Sequence, residues 1–216
     1  MSLSHSPRIV TTGLTLCLDS NNRKSYPGSG TTWANLSSNT NSLTLVNSPT
    51  FSANGVFSFN AGSNQYATTS NNVLNSTAYT KCAWFQTSNL SATNNIISGN
   101  NGQHAFWLAG GNKLNSGHNG GWSTVQSNTT LVTNQWYFGV VTFNTTTGWA
   151  LYLNGLLEVT NASTTTFTGT GDVLVAAYGN SNLFQGQING VFIYNRVLTA
   201  QEIQQNFNAF RGRYGI

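Results

Sequence analysis

Apolar residues recur at every second position through most of this chain and take helical spacing only near its end. Period-2 runs cover about Leu14–Asp19, Leu43–Leu45, Val56–Phe59, Tyr66–Thr69, Thr80–Gln86, Asn95–Ser98, Ala105–Ala109, Trp136–Asn144, Trp149–Leu153, Leu156–Asn161, Val173–Ala177 and Ile188–Tyr194. Between them lie stretches crowded with Asn, Ser, Thr and Gly, so the runs predict antiparallel strands joined by turns. The sharpest turn signal is Asn154-Gly155, because a type I′ hairpin needs positive φ at both central residues. Trp149, Leu151 and Leu153 then share one face, with Ala150 and Tyr152 on the other. After Thr199 the period changes: Ile203, Phe207 and Phe210 fall at i, i+4 and i+7, a narrow apolar stripe. Thr199 and Glu202 carry capping-box spacing, a hydroxyl for one free amide and a carboxylate reaching back. The pattern predicts an all-β, two-sheet antiparallel sandwich with one short C-terminal helix. Residues 1–216 read as one unit, with 1–8 as an N-terminal arm and 199–216 as helix and tail.

Composition narrows the function. At 216 residues, 12% of them aromatic and only 6% charged, the chain has ample apolar surface to bury, which excludes disorder. The net charge of +4 comes from scattered cations; Arg8, Arg23, Lys24, Lys81, Lys113 and Arg196 read as solvated single charges. No cation cluster is interleaved with aromatics, so nucleic acid is not an expected partner. No run is long enough to span a membrane, and Met1–Ser20 has no signal-peptide pattern. Cys17 and Cys82, both inside strand patterns, read as buried free thiols, with a bridge open if their strands are neighbours.

Several segments carry a family resemblance. Gly186-Gln-Ile-Asn-Gly-Val-Phe-Ile-Tyr-Asn-Arg-Val-Leu-Thr-Ala-Gln-Glu-Ile203 runs from a strand straight into the capped helix. Gly13-Leu-Thr-Leu-Cys-Leu-Asp19 with Tyr26–Leu36 has the look of an opening strand and first loop. Tyr79–Phe85 fits a central core strand, and Trp136–Phe143 with Leu151–Leu157 fits a late hairpin. In this order they resemble the laminin-G-like branch of the concanavalin A-like lectin/glucanase superfamily, which implies a jelly-roll sandwich. The ending Asn-Phe-Asn-Ala-Phe-Arg-Gly-Arg-Tyr-Gly-Ile, with a leaderless start, resembles laminin-G-like proteins of tailed bacteriophages. That resemblance implies a virion structural protein, a capsid decoration or fibre part. It would be made in the host cytoplasm, displayed on the virion surface, and attached to capsid or tail proteins through its termini, with Arg8, Arg211 and Arg213 as contacts.

Catalysis is not expected. Glycoside hydrolysis needs two carboxylates flanking one bond, whereas the chain holds four in all: Asp19, Glu158, Asp172 and Glu202. The Glu-x-Asp-x-x-Glu strand of the superfamily's glucanases is missing, and His5, His104 and His118 sit in flexible or glycine-rich settings with no nucleophile elbow. No cofactor is expected. Where related domains carry calcium-binding acids this chain has Ala61–Tyr66 and Asn189, leaving at most a weak site on Asp19 or Asp172 with carbonyls. Recognition is the remaining chemistry. The loops 91–103 and 110–123 are amide-rich, and Trp122 lies outside any alternation beside Gly120-Gly121. An aromatic platform with Asn112, His118, Asn119, Asn180 and Asn182 around it suits a sugar, whose C–H face stacks while its hydroxyls hydrogen-bond. The alternative to the virion role is therefore a glycan-binding adhesin recognising host or environmental polysaccharide.

Overall fold

The computed structural model describes residues 8–39, 41–69, 73–99, 103–179 and 181–216; the arm residues 1–7, residues 100–102 and Asn180 lie outside them. In chain order the strands are β1 (Leu14–Asp19), β2 (Thr32–Trp33), β3 (Leu43–Val46), β4 (Thr50–Phe51), β5 (Phe57–Phe59), β6 (Tyr66–Thr69), β7 (Ala78–Thr87), β8 (Asn94–Asn95) and β9 (Ile97–Ser98). They continue as β10 (His104–Ala109), β11 (Lys113–His118), β12 (Gly121–Gln126), β13 (Tyr137–Asn144), β14 (Gly148–Leu153), β15 (Leu156–Asn161), β16 (Val173–Val175) and β17 (Gly186–Tyr194), before the helix α1 (Ala200–Phe210).

These strands stack in two antiparallel layers. One is ordered β15-β14-β13-β7-β17-β5-β4, with β1 paired to the second half of β17. The other comprises β2-β3-β6-β16-β9 and β8-β10-β11-β12. Ile96 joins its two parts: its N–H donates to the Phe106 carbonyl at 2.9 Å, and its own carbonyl accepts from Ala176 N–H at 3.1 Å. The two-sheet sandwich expected from the alternation is what forms. Asn154 (φ 51°) and Gly155 (φ 83°) make the foreseen hairpin turn, with Leu153 opposite Leu156.

β7 lies between β13 and β17 and is buried on both faces. Its Tyr79, Ala83 and Phe85 enter the main core between the layers, among Leu16, Phe57, Phe106, Leu114, Phe143 and Val191. Its Cys82 and Trp84 face the other way, into a second cluster with Phe138, Val140, Phe192 and Tyr194. Helix α1 covers that second face with Ile203 and Phe207, while Phe210 stacks on Phe192 at 5.5 Å. The apolar stripe of the sequence is therefore a docking stripe. Cys17 and Cys82 both pair opposite Phe192, one on each side, and both are free buried thiols. Burial first, then Asp19, pushes the Cys17 thiol up to about 12, which keeps it protonated and inert.

The helix start is built as its spacing required. Thr199 Oγ1 accepts from the Glu202 N–H at 3.2 Å, and the Glu202 carboxylate accepts from the Thr199 N–H at 2.9 Å. The same carboxylate takes a two-pronged ion pair from Arg196, at 2.6 and 2.8 Å, so Arg196 is not a solvated single charge. Thr199→Ala should cost about 0.5–2 kcal/mol, the usual loss for an N-cap hydroxyl, read as a lower urea midpoint at unchanged slope.

Two further expectations need correction. The segment 110–123 is not a loop but most of the hairpin β11–β12. Lys81 is fully buried rather than solvated, because it shares the inward face of β7 with Tyr79 and Ala83.

Candidate functional site

The hairpin arm β10-β11-β12 carries the site. Along β10, Phe106 and Leu108 belong to the main core, so Ala105 and Trp107 present themselves on the outer face. The β11–β12 turn is Asn119-Gly120, with φ of 48° and 92°, and His118 pairs with Gly121 across it. This is the same Asn-Gly signal as at Asn154-Gly155, and reading it that way would have revealed the hairpin. The register shifts between Ser116 and His118, where β12 passes very close to Gly117. A Cβ there would sit 1.8 Å from the Gly121 carbonyl oxygen, so only glycine fits. Trp122 is held in place by its own carbonyl, which accepts from Trp107 Nε1–H at 2.7 Å.

The opposite wall comes from the chain after β16. Ala176 takes φ 70°, a left-handed conformation that ends the strand at Val175 rather than Ala177 and turns the chain outward. Tyr178 and Ser181 then exchange backbone hydrogen bonds at 3.1 and 3.0 Å. The Tyr178 ring stands 5.3 Å from Trp122 at 65°, forming an aromatic corner. Asn182, at φ 48°, is exposed, and its carbonyl accepts from Asn95 N–H and Nδ2 at 3.2 and 3.1 Å.

Thr93, Asn95, Ala105, Trp107, Trp122, Tyr178 and Asn182 line an open cleft of about 210 Å³. Asn95 is already committed, since its Oδ1 also accepts from Ser98 Oγ at 2.7 Å. The Asn182 amide and the Thr93 hydroxyl have no hydrogen-bond partner among the described residues and remain for a ligand. Aromatic faces with two uncommitted neutral hydrogen-bonding groups can stack an aliphatic ring face and bind its hydroxyls. Among the described residues no carboxylate, imidazole or thiol lines the cleft.

Of the residues picked from the sequence for sugar contact, Trp122 and Asn182 meet in this cleft, and Asn180 lies outside the described residues. His118 does not belong to it: the ring is buried in the core, 4.3 Å from Trp149, 4.8 Å from Phe143, 5.3 Å from Phe167 and 5.8 Å from Tyr79. Asn119 is a turn residue whose amide donates to the Thr166 carbonyl at 2.8 Å and accepts from Thr168 N–H at 3.0 Å. Asn112, at φ 58°, forms the β10–β11 turn and does not line the cleft. Trp107, which the sequence did not single out for the site, is half-buried and lines the cleft. Its position outside the inward series Phe106 and Leu108 was the available signal.

Of the three arginines expected to serve assembly, Arg8 and Arg211 are exposed, whereas Arg213 is spent on Asp19 at 2.8 Å. That ion pair and the Asn21 N–H, at 3.1 Å, both engage Oδ1 of Asp19, the carboxylate on which a weak calcium site was expected. Among the described residues, no group of three or more His, Cys, Asp or Glu side chains is placed to hold a metal ion. Nor is any described helix long and apolar enough to cross a membrane.

His104 and His118 instead join a buried polar chain inside the sandwich. Lys81 Nζ meets His104 Nδ1 at 2.9 Å, and His104 Nε2 meets the Asp172 carbonyl at 3.1 Å. Tyr79 Oη meets His118 Nε2 at 2.8 Å, and His118 Nδ1 meets the Thr165 carbonyl at 3.1 Å. A carbonyl only accepts, so His104 carries its proton on Nε2 and His118 on Nδ1; Lys81 and Tyr79 donate to the other nitrogens. Burial, reinforced by Lys81, holds His118 down to about 3 and His104 well below the usual imidazole range. Burial alone lowers the Lys81 amine well below its ordinary value. Burial therefore disfavours the charged form of all three groups, the two imidazoles and the amine.

Comparison with known proteins places this architecture. A family model described as the concanavalin A-like lectin/glucanases superfamily matches residues 60–204, and the chain belongs to that superfamily. No curated protein matches it in sequence. Among solved structures, Trypanosoma rangeli sialidase in complex with sialic acid is similar at TM-score 0.70 and 15% identity, covering 96% of this chain and 36% of the sialidase. The botulinum neurotoxin serotype D/C binding domain is similar at TM-score 0.68 and 16% identity, covering 92% of this chain and 52% of that domain. The same kind of binding domain in complex with SialylT is similar at TM-score 0.68 and 15% identity. At such identities the likeness concerns the fold, and this chain spans only about a third to a half of these neighbours' lengths, 36% and 52%.

Proposed function

We propose that this protein is a non-catalytic, lectin-like module that binds glycan in the cleft of Trp107, Trp122 and Tyr178. The observation that carries this reading is the aromatic corner standing beside an Asn182 amide and a Thr93 hydroxyl that have no hydrogen-bond partner among the described residues. Lectin-like folds among its structural neighbours, one solved with sialic acid and one with SialylT, support a glycan as the ligand class. The carboxylates support a non-catalytic role: Asp19 is paired with Arg213, Glu202 with Arg196, Glu158 holds Thr129, and none of the four lines the cleft. A glycan array probed with the protein and with Trp122→Ala tests the reading. Loss of the ring should weaken binding by ~1–3 kcal/mol, the usual scale for one stacked aromatic. Array signals equal for the two proteins would refute the site.

The virion placement belongs to the same proposal. Its support is the phage-like resemblance together with the exposure of Arg8 and Arg211 near the two ends, where a capsid or tail protein would attach without touching the cleft. In that setting the module presents its cleft outward from the virion surface, and adhesion to polysaccharide is its work there. Mass spectrometry of purified particles decides this placement, and absence of the protein from them would reject it.

A further inference from the structure

We infer that the glycan taken by this cleft is uncharged, a neutral pyranose unit without carboxylate, sulfate or phosphate. The inference rests on reading the cleft as a glycan site and narrows what that site accepts. An acidic sugar must surrender the hydration of its anion on entering a partly enclosed pocket, and it recovers that cost only against a cation or several donors. Every Lys and Arg of the chain lies among the described residues, and none of them lines the cleft. Lys81 is sealed between the layers, Arg196 and Arg213 are in ion pairs, and Lys113 donates to the Asn128 carbonyl. Arg23 and Lys24 sit in the turn after β1; Arg8 lies beside α1, where Gln205 donates to its carbonyl, and Arg211 directly follows that helix. His104 and His118 are buried and neutral, while His5 lies outside the described residues. What remains at the cleft is three rings, one amide and one hydroxyl, which suit C–H faces and hydroxyls equally.

The size agrees. About 210 Å³ is below the ~300–1,000 Å³ of pockets that enclose drug-sized ligands, so the cleft seats one ring rather than a branched acidic residue with its tail. This chain therefore departs from structural neighbours solved with sialic acid and with SialylT, although it shares their fold.

The test titrates the full chain, by ligand-observed NMR and calorimetry, with methyl glycosides of glucose, galactose and mannose and with N-acetylglucosamine. In parallel it uses 3′-sialyllactose and methyl glucuronide. At least one neutral sugar should bind tenfold or more tightly than either acid. Its affinity should change less than twofold between low and high salt, because no ion pair contributes. Trp122→Ala and the exposed Asn182→Ala should each weaken it by tenfold or so, with Trp122→Phe retaining most of the affinity. An acidic sugar that binds as tightly or more tightly, still dependent on Trp122, overturns neutrality and leaves the glycan site standing. Binding by neither class, or binding indifferent to both alanine variants, overturns the site and the inference together.

Discussion

Phe207→Ala is expected to lower stability by ~3–5 kcal/mol, the largest single-residue effect among these predictions. Phe207 is 7% exposed, stacks on Trp84 at 5.7 Å and 14°, and lies 6.2 Å from Phe138. Trp84 is also stacked by Tyr214 at 4.2 Å, so the ring is the middle of a layered aromatic stack between helix and sheet. Truncation removes the transfer energy of the ring and leaves a gap that rigid neighbours on β7 and β13 cannot close. For a chain of this length such a loss corresponds to a melting temperature lower by roughly 6–20 °C. Differential scanning fluorimetry and urea unfolding followed by tryptophan fluorescence both read it. A change below about 1 kcal/mol, no larger than that of Thr199→Ala, would mean that the helix is not docked on the sheet.

The second large effect is acid destabilisation driven by the buried His–Lys chain rather than by carboxylates. His104 and His118 have folded-state values depressed by burial, His118 to about 3, against about 6.5 in the unfolded chain. Below about 6.5 the unfolded chain therefore binds more protons than the folded one, and stability falls as pH falls, continuing until the folded imidazoles themselves protonate. Each unit of depression is worth about 1.4 kcal/mol, so His118 withdraws about 3 kcal/mol by about pH 4, and His104 acts in the same direction. Lys81 acts in the same direction at higher pH: its lowered value makes the fold more stable as pH rises toward the ordinary lysine range. Glu202 adds a separate step. Pairing with Arg196 lowers it to about 2, so its contribution is present above about 4.5 and is lost as pH falls toward 2. Urea midpoints at about pH 9, 7, 5 and 4 should fall in that order. Glu202→Gln should alter only the lowest part, whereas His118→Phe should flatten the middle. A midpoint constant between pH ~7 and ~5 would show that the imidazoles are not held neutral in the core.

The strands that were legible in the sequence share one property: each alternates against a single buried face, or runs apolar where both faces are covered. Trp149–Leu153 shows the first kind and Thr80–Gln86 the second. The helix was legible because Thr199, Glu202 and the Ile203–Phe207–Phe210 stripe are local signals, and local signals need no partner to be read. The hairpin β11–β12 was not, because Ser116, Gly117, His118 and Trp122 break the alternation: a hydroxyl and an imidazole lie inward there, satisfied only by partners on other strands. Ser116 Oγ donates to the Ala105 carbonyl at 2.6 Å, and His118 finds Tyr79, thirty-nine positions away. Polarity at those positions reads as exposure until the partners are in view.

The candidate site divides in the same way. Trp122 and Asn182 stand out in sequence as an aromatic among glycines and an amide in a loop, but nothing local joins them. Their meeting depends on Ala176 turning the chain left-handed, on Gly117 admitting the close passage of β12, and on Asn95 clamping the Asn182 carbonyl. The sequence by itself determined the two-sheet sandwich, the capped helix and the scarcity of charge, since periodicity, capping spacing and composition are properties of neighbours along the chain. Only the tertiary structure decided that His118 and Lys81 belong to the core and Trp107 to the cleft. Which face of a strand meets solvent is set by what packs across it, and that packing is made of contacts between distant parts of the chain.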